Sequence, residues 1–307
     1  MGASKSHCCE GCRELDRLGR RRFFRMLGAG LVVALTGCSP ATRRSLGLDG
    51  PGDVSPSTSP TTATTSTTVA TTSSSPNASL ANTPRLILDD IPAPNPGTAH
   101  VVFGGPKGTR QVALTIDDGF CASCVAGYIE FAVRSGIAIT FNPNGRYRSL
   151  WTPSLVSSVR EMIANGQVQI GNHTWSHANL LTLSSKGIAG EITRNEEWIN
   201  EAFGITARPY FRPPYGFYNS RVKEVAGELG YTSILMWNGS FGDAALLTPQ
   251  ALIRQAEKWL DPGRIVLGHL NHPTVLSLFP EIEAIIADRR LDPVTLDVMF
   301  GTSRATG

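Results

Sequence analysis

Gln111-Val112-Ala113-Leu114-Thr115-Ile116-Asp117-Asp118-Gly119 decides the reading of this chain. Residues 111–116 carry a strand signal, and two carboxylates follow it directly. Adjacent carboxylates repel unless something neutralises one of them. A metal ion on one and an arginine beside the other would do so; a plain Asp-Gly turn is the alternative. Outward from this stretch, further strand signals fall at 137–141, 168–171, 209–211, 232–237, 264–267 and 294–296. Helix signals lie between them at 124–135, 154–165, 185–203, 219–229, 249–260 and 279–289. Within 185–203, Ile188, Ile192, Ile199, Ala202 and Phe203 share one face at a helical period. Thr248 before Pro249 reads as an N-cap with proline in the first turn. Strands alternating with helices predict an α/β fold, either a barrel or a doubly wound sheet.

Four more groups of chemical residues follow strand signals. His173-Thr174-Trp175-Ser176-His177 comes after the third. Imidazoles at this spacing can share one face of a helical turn and converge on one ion. With a carboxylate they make three ligands and leave a position open for water, although the spacing also occurs by chance. Arg212-Pro213-Pro214-Tyr215-Gly216 follows the fourth strand and reads otherwise as a rigid proline turn. Asp243 follows the fifth, where a solvated loop acid is the alternative, and Leu267-Gly268-His269 ends the sixth, with His272 as a competing histidine. All five groups sit at carboxyl ends of strands, where barrels and open α/β sheets build active sites. Independent turn residues would scatter to both ends.

The formal charge of +3 comes from the first 37 residues, which hold seven basic and three acidic side chains. The remainder carries 21 basic and 22 acidic side chains, so nothing suggests a nucleic-acid partner. Arg20-Arg21-Arg22-Phe23-Phe24-Arg25 resembles a twin-arginine export signal, and the apolar run from Met26 to Leu35 is too short to span a membrane. Leu35-Thr36-Gly37-Cys38 resembles a lipobox, which implies a signal over 1–37, lipid on Cys38 and a position on the outer face of the cytoplasmic membrane. Cys8, Cys9 and Cys12 would leave with the signal. Residues 38–97 then form a linker rich in Ser, Thr and Pro without apolar periodicity. The low-complexity stretch from Ser39 to about Pro84, about 45 residues, reaches roughly 40 Å as a coil and about 140 Å in polyproline geometry. Cys121 and Cys124 remain in the exported part; a small disulfide, free thiols and a redox switch are all open.

Taken in order, T-I-D-D-G, H-T-W-S-H, R-P-P-Y-G, the following Asp and L-G-H resemble the polysaccharide deacetylases of the NodB-homology, carbohydrate esterase family 4 type. The resemblance covers about residues 109–300, so the catalytic domain is expected over 98–303. It implies a distorted (β/α)7 barrel. It also implies Asp118, His173 and His177 as ligands of one divalent ion, zinc by expectation, and Asp117 as general base held ionised by Arg212. His269 would be the general acid, kept cationic by Asp243, with the Tyr215 N–H at the oxyanion and Leu267 in the acyl pocket beside Trp237. Ala244 stands where the family has Trp, Asn142 where it has a second aromatic, and Asn238 where Asp is common. These departures bear on the acyl pocket and are expected to leave the metal and proton-transfer residues untouched.

The resulting expectation is a metal-dependent N-deacetylase of a cell-wall glycan, peptidoglycan first, with the membrane as partner through the lipid alone. Two rivals stand beside it: an amidohydrolase on a small non-sugar C–N bond, and an idle glycan-binding lipoprotein.

Overall fold

The computed structural model describes residues 93–302, so the signal-like segment, Cys38 and most of the linker lie outside the described residues. Among the described residues nine strands occur in order: β1 His100–Val102, β2 Gln111–Asp118, β3 Ile139–Pro143, β4 Val168–Ile170, β5 Tyr210–Phe211, β6 Ser233–Leu235, β7 Gly239–Ser240, β8 Ile265–His269 and β9 Asp292–Pro293. The α-helices are α1 Ala122–Ser135, α2 Pro153–Ala164, α3 Ser185–Phe203, α4 Ser220–Glu228, α5 Pro249–Trp259, α6 Phe279–Asp288 and α7 Leu296–Phe300. Their strands pair in parallel in two sheets, β1-β6-β5 and β4-β3-β2-β8-β7, with β9 beside β2. A parallel bridge from Asn172 to Phe211 joins the segment after β4 to β5. This is the distorted (β/α)7 barrel of the NodB type.

β2 is the central strand, buried from Val112 through Asp118. An apolar run flanked on both sides by parallel strands needs no polar face. Its register sets the site: Asp117 stands opposite Asn142 of β3 and opposite His269 of β8. Outside the barrel, α3 buries Ile188, Ile192, Ile199 and Phe203, the face its periodicity predicts. Thr248 caps α5 by accepting from the Ala251 N–H at 3.3 Å; Ser184 and Asn219 do the same for α3 and α4. Such caps contribute about 1 kcal/mol each.

The expected seventh strand at 294–296 is corrected. The strand is Asp292–Pro293, and Leu296 already begins α7, where Leu296 and Met299 are buried three residues apart. The expected strand at 232–237 ends at Leu235, and a separate short β7 follows it. No helix among the described residues is long and apolar enough to cross a membrane.

Candidate active site

The end of β2 places Asp117 inside the barrel, 2% exposed. Its Oδ1 accepts from Arg212 Nη1 at 3.0 Å and from Asn142 Nδ2 at 2.8 Å. Arg212 is fully buried, and its other donors reach Thr115 Oγ1 and the carbonyls of Leu235 and Met236. Burial pulls the Arg212 pKa down against the charge of Asp117, but a guanidinium so matched keeps its proton. Asp117 Oδ2 receives neither donor and lies 3.7 Å from His173 Nε2.

Asn142 corrects the expectation that the departures leave the proton-transfer residues untouched. It is buried, aligned with Asp117 by strand register, and donates directly to it. Gly171 makes the room, because a Cβ there would stand 2.1 Å from Asn142 Oδ1. The amide orientation follows from the acid, since turning Oδ1 toward Asp117 would oppose two acceptors. Asn238 acts elsewhere: its Oδ1 accepts from the Ile265 N–H at 2.9 Å and pins the start of β8.

Asp118, His173 and His177 offer ligand atoms that all lie within 4.8 Å of one another. Asp118 Oδ1 is 3.4 Å from Nε2 of each histidine. That is long for a hydrogen bond, which prefers about 2.9 Å. It suits donors sharing one ion, because ligands at about 2.05 Å in tetrahedral directions stand about 3.3 Å apart. His173 Nδ1 meets the Arg212 carbonyl at 2.7 Å, where it must donate, so its Nε2 is the atom turned to the ligand cluster; burial lowers the His173 pKa, but the charges of Asp117 and Asp118 outweigh it and raise the value. Asn271 donates to Asp118 Oδ2 at 2.6 Å. Burial and the neighbouring His173 push His177 down to about 4, keeping it neutral as a ligand requires. Burial alone would raise the Asp118 carboxyl, yet His173 beside it, then His177 and His269, hold it far below the usual range. The donor set fits a divalent cation.

The two histidines do not sit on a helical turn, which corrects that expectation. They converge on an irregular loop in which Thr174 has φ 69° and His177 φ 60°. Asp118 at 73° and Tyr215 at 61° are also positive, so four of the five non-glycine residues of this kind among the described residues belong to the motifs. Each costs about 1–3 kcal/mol and persists only where the surroundings over-determine it. Asparagines do this here. Asn144 Nδ2 donates to the carbonyls of His173 and Thr174, and Asn172 Oδ1 accepts from the Thr174 N–H and from Asn195. Sequence reasoning missed Asn144, Asn172, Asn195 and Asn271, and it assigned Asn142 to the acyl pocket instead of to Asp117. For all but Asn195, which lies within α3, the available signal was an asparagine at a strand end or beside a motif.

Opposite the carboxylates, His269 Nδ1 lies 2.8 Å from Asp243 Oδ1, and the His269 backbone N–H donates to Asp243 Oδ2 at 3.0 Å. Burial lowers the His269 pKa, but the hydrogen bond and charge of Asp243 outweigh it and raise the value overall. Asp243 follows β7 rather than the longer strand expected before it. His272 turns instead toward the Phe120 ring, with centroids 6.0 Å apart.

These groups open on one cleft of about 640 Å³. Asp117, Asp118, His173, His177, Arg212, Tyr215 and His269 line it together with Leu267, Trp237 and Ala244. Asp243 is buried behind His269. Phe241 is buried too, against Gly268, and does not fill the space beside Ala244. Cys121 and Cys124 form a disulfide at the start of α1, outside the cleft wall.

Residues 104–234 match the family model described as polysaccharide deacetylase. The peptidoglycan-N-acetylglucosamine deacetylase of Listeria monocytogenes is 28% identical over 66% of this chain and 41% of its own length. The chain thus spans less than half of that relative. A chitooligosaccharide deacetylase of Bradyrhizobium is 26% identical over 56% of this chain and 75% of its own. Among solved structures, the Bc1960 peptidoglycan N-acetylglucosamine deacetylase superposes with a TM-score of 0.59 at 26% identity, covering 67% of this chain and 95% of that one.

Proposed function

We propose that this chain, whose family match and relatives support the polysaccharide deacetylase family, is a metal-dependent hydrolase that removes N-acyl groups from a cell-wall glycan. The observation that carries the reading is the convergence on one cleft of a three-donor metal site, a carboxylate backed by arginine and a histidine backed by a carboxylate. A divalent ion held by Asp118, His173 and His177, zinc by its ligand chemistry, would supply Lewis acidity at the amide carbonyl and activate the attacking water.

The chain's own residues do the rest. Asp117 takes the proton of the attacking water through Oδ2, because Oδ1 is already occupied. Arg212 holds that carboxylate in place through Oδ1. The Tyr215 N–H, presented by its left-handed turn, stabilises the charge that develops on the carbonyl oxygen. His269 then protonates the leaving nitrogen as the C–N bond breaks, giving a free amine and a carboxylic acid. Leu267, Trp237 and Ala244 bound the acyl group. A small-amide hydrolase would not need a cleft this open, and an idle binder would not need a proton donor backed by a carboxylate.

We further propose that the 98–303 domain works on a tether lipidated at Cys38, which keeps it beside peptidoglycan. Incubating native wall glycan with the metal-loaded protein and weighing the products tests the activity: loss of acyl mass with release of free acid supports it, and an unchanged glycan contradicts it.

A further inference from the structure

We propose that Arg146 forms a carboxylate-binding subsite beside the candidate metal ligands, so that the cleft selects amino-sugar polymers carrying an acidic substituent near the scissile amide. This rests on the hydrolase reading and narrows its substrate.

Arg146 lines the cleft from the turn after β3. Two contacts hold its guanidinium there. Its Nη1 donates to the Ser176 carbonyl at 3.1 Å, the carbonyl of the peptide bond that enters His177, and its centre lies 5.2 Å from the Tyr147 ring. The backbone is fixed as well, since the Arg146 N–H donates to the Trp175 carbonyl at 3.0 Å. The charge therefore sits next to the ligand loop, on an exposed side chain with these two contacts.

That charge is uncommitted. Arg110, Arg134, Arg208, Arg212 and Arg289 each have a carboxylate partner; Arg146 has none among the described residues. The nearby acid is Glu191, and both of its oxygens are taken by the Ser176 N–H and hydroxyl at 2.8 Å. Two more cations stand behind: Arg148 and Arg194 lie over the Trp175 ring at 5.1 and 3.9 Å. Of the lining charges, Asp117 and Asp118 balance Arg212 and Arg146 in number, and buried Asp243 balances a protonated His269. A bound divalent ion makes the sum positive by two, and a positive cleft concentrates anionic substrate. A guanidinium with free N–H groups is shaped for a carboxylate, which it can grip through two parallel bonds. A neutral chitin-like strand offers it nothing of the kind.

The test compares three matched N-acetylated oligosaccharides: neutral, bearing a lactyl ether carboxylate, and bearing a uronic acid. Each is assayed for kcat/KM and for Kd with the native protein, Arg146→Gln and Arg146→Lys. The native protein should favour at least one acidic substrate over the neutral one by about tenfold, the effect of a charge-assisted bond. Arg146→Gln should bring that ratio near one, with Arg146→Lys between them. Which acidic arm responds identifies the carboxylate's position. An acid-to-neutral ratio unaltered by Arg146→Gln, in turnover and in binding alike, overturns the subsite. If the native protein turns over none of the three, the hydrolase reading fails, and the Kd ratio alone decides the fate of Arg146.

Discussion

Two ion pairs stand at the cleft, with Asp117 and His269 side by side on neighbouring strands, and they differ in what each can give up. Arg212 and Asp117 are 0% and 3% exposed; His269 and Asp243 are 12% and 4% exposed. In the first pair the carboxylate faces the cleft and the cation behind it never releases its proton. In the second the order is reversed, with the imidazole in front and the carboxylate behind. One arrangement presents a carboxylate as base, and the other keeps an imidazole loaded as acid. Role therefore follows from which member reaches the cleft and whether its partner titrates, and the charges alone would not tell.

The largest effect should come from removing what lies between the pairs. His173→Ala or His177→Ala is expected to abolish metal binding and nearly all turnover, since two ligands hold a divalent ion weakly. Asp117→Asn should retain the metal yet lose about 10²–10⁴-fold in kcat, while Asp118→Asn should weaken the metal itself. Metal stoichiometry measured beside kcat separates these outcomes; identical titrations for the two aspartate variants would break the division of labour.

The comparison sharpens when each pair loses its rear member. Arg212→Met leaves Asp117 buried without its cation and should cost about 3–5 kcal/mol of stability by urea unfolding. Asp243→Asn should act through pH instead. His269 is active when protonated, so activity falls as pH rises through its raised pKa. Removing Asp243 leaves burial, which lowers that pKa, so the alkaline limb of the rate profile should move to lower pH. A limb that stays in place in Asp243→Asn would remove His269 as the acid.

Much of this arrangement is legible in the sequence, because the motifs end strands whose order is set by alternation with helices. Asp117, Arg212, Asp243 and His269 are polar residues just beyond apolar runs, and a parallel barrel gathers such positions at one rim. What stayed hidden is of two kinds. β1 and β7, with three and two residues, are too short to show a period. The histidine loop depends on left-handed backbone at Thr174 and His177, and only tertiary bonds from Asn144 and Asn172 explain it. Asn142 shows the same limit, since its bond to Asp117 exists only through the β2–β3 register.

A smaller effect is expected there. Asn142→Leu removes one of two donors to Asp117 Oδ1 and should lower kcat by roughly tenfold, the worth of a hydrogen bond to a charged group, with metal content unchanged. A fall in KM affinity alone, with kcat intact, would place Asn142 outside the proton-transfer geometry. Export offers an independent arm: Cys38→Ala should still leave the cell interior but separate from membranes, whereas an unlipidated variant that remains membrane-bound would refute the tether. Smallest is Ala244→Trp. With Phe241 buried elsewhere, the space beside Ala244 should admit an acyl group larger than acetyl, such as glycolyl. Tryptophan there should depress glycolyl turnover more than acetyl turnover, within the 1–3 kcal/mol or so that one small group commands. Equal losses would leave Ala244 without a part in acyl choice.

The central claim is most directly tested by following acetate released from an N-acetylated wall glycan by the metal-loaded protein, by the same protein after chelation, and by Asp117→Asn reloaded with metal. The account predicts release in the first case, none after chelation with recovery on adding a divalent ion, and none from Asp117→Asn despite a filled site. Undiminished release from the chelated protein, or from metal-loaded Asp117→Asn, would contradict it.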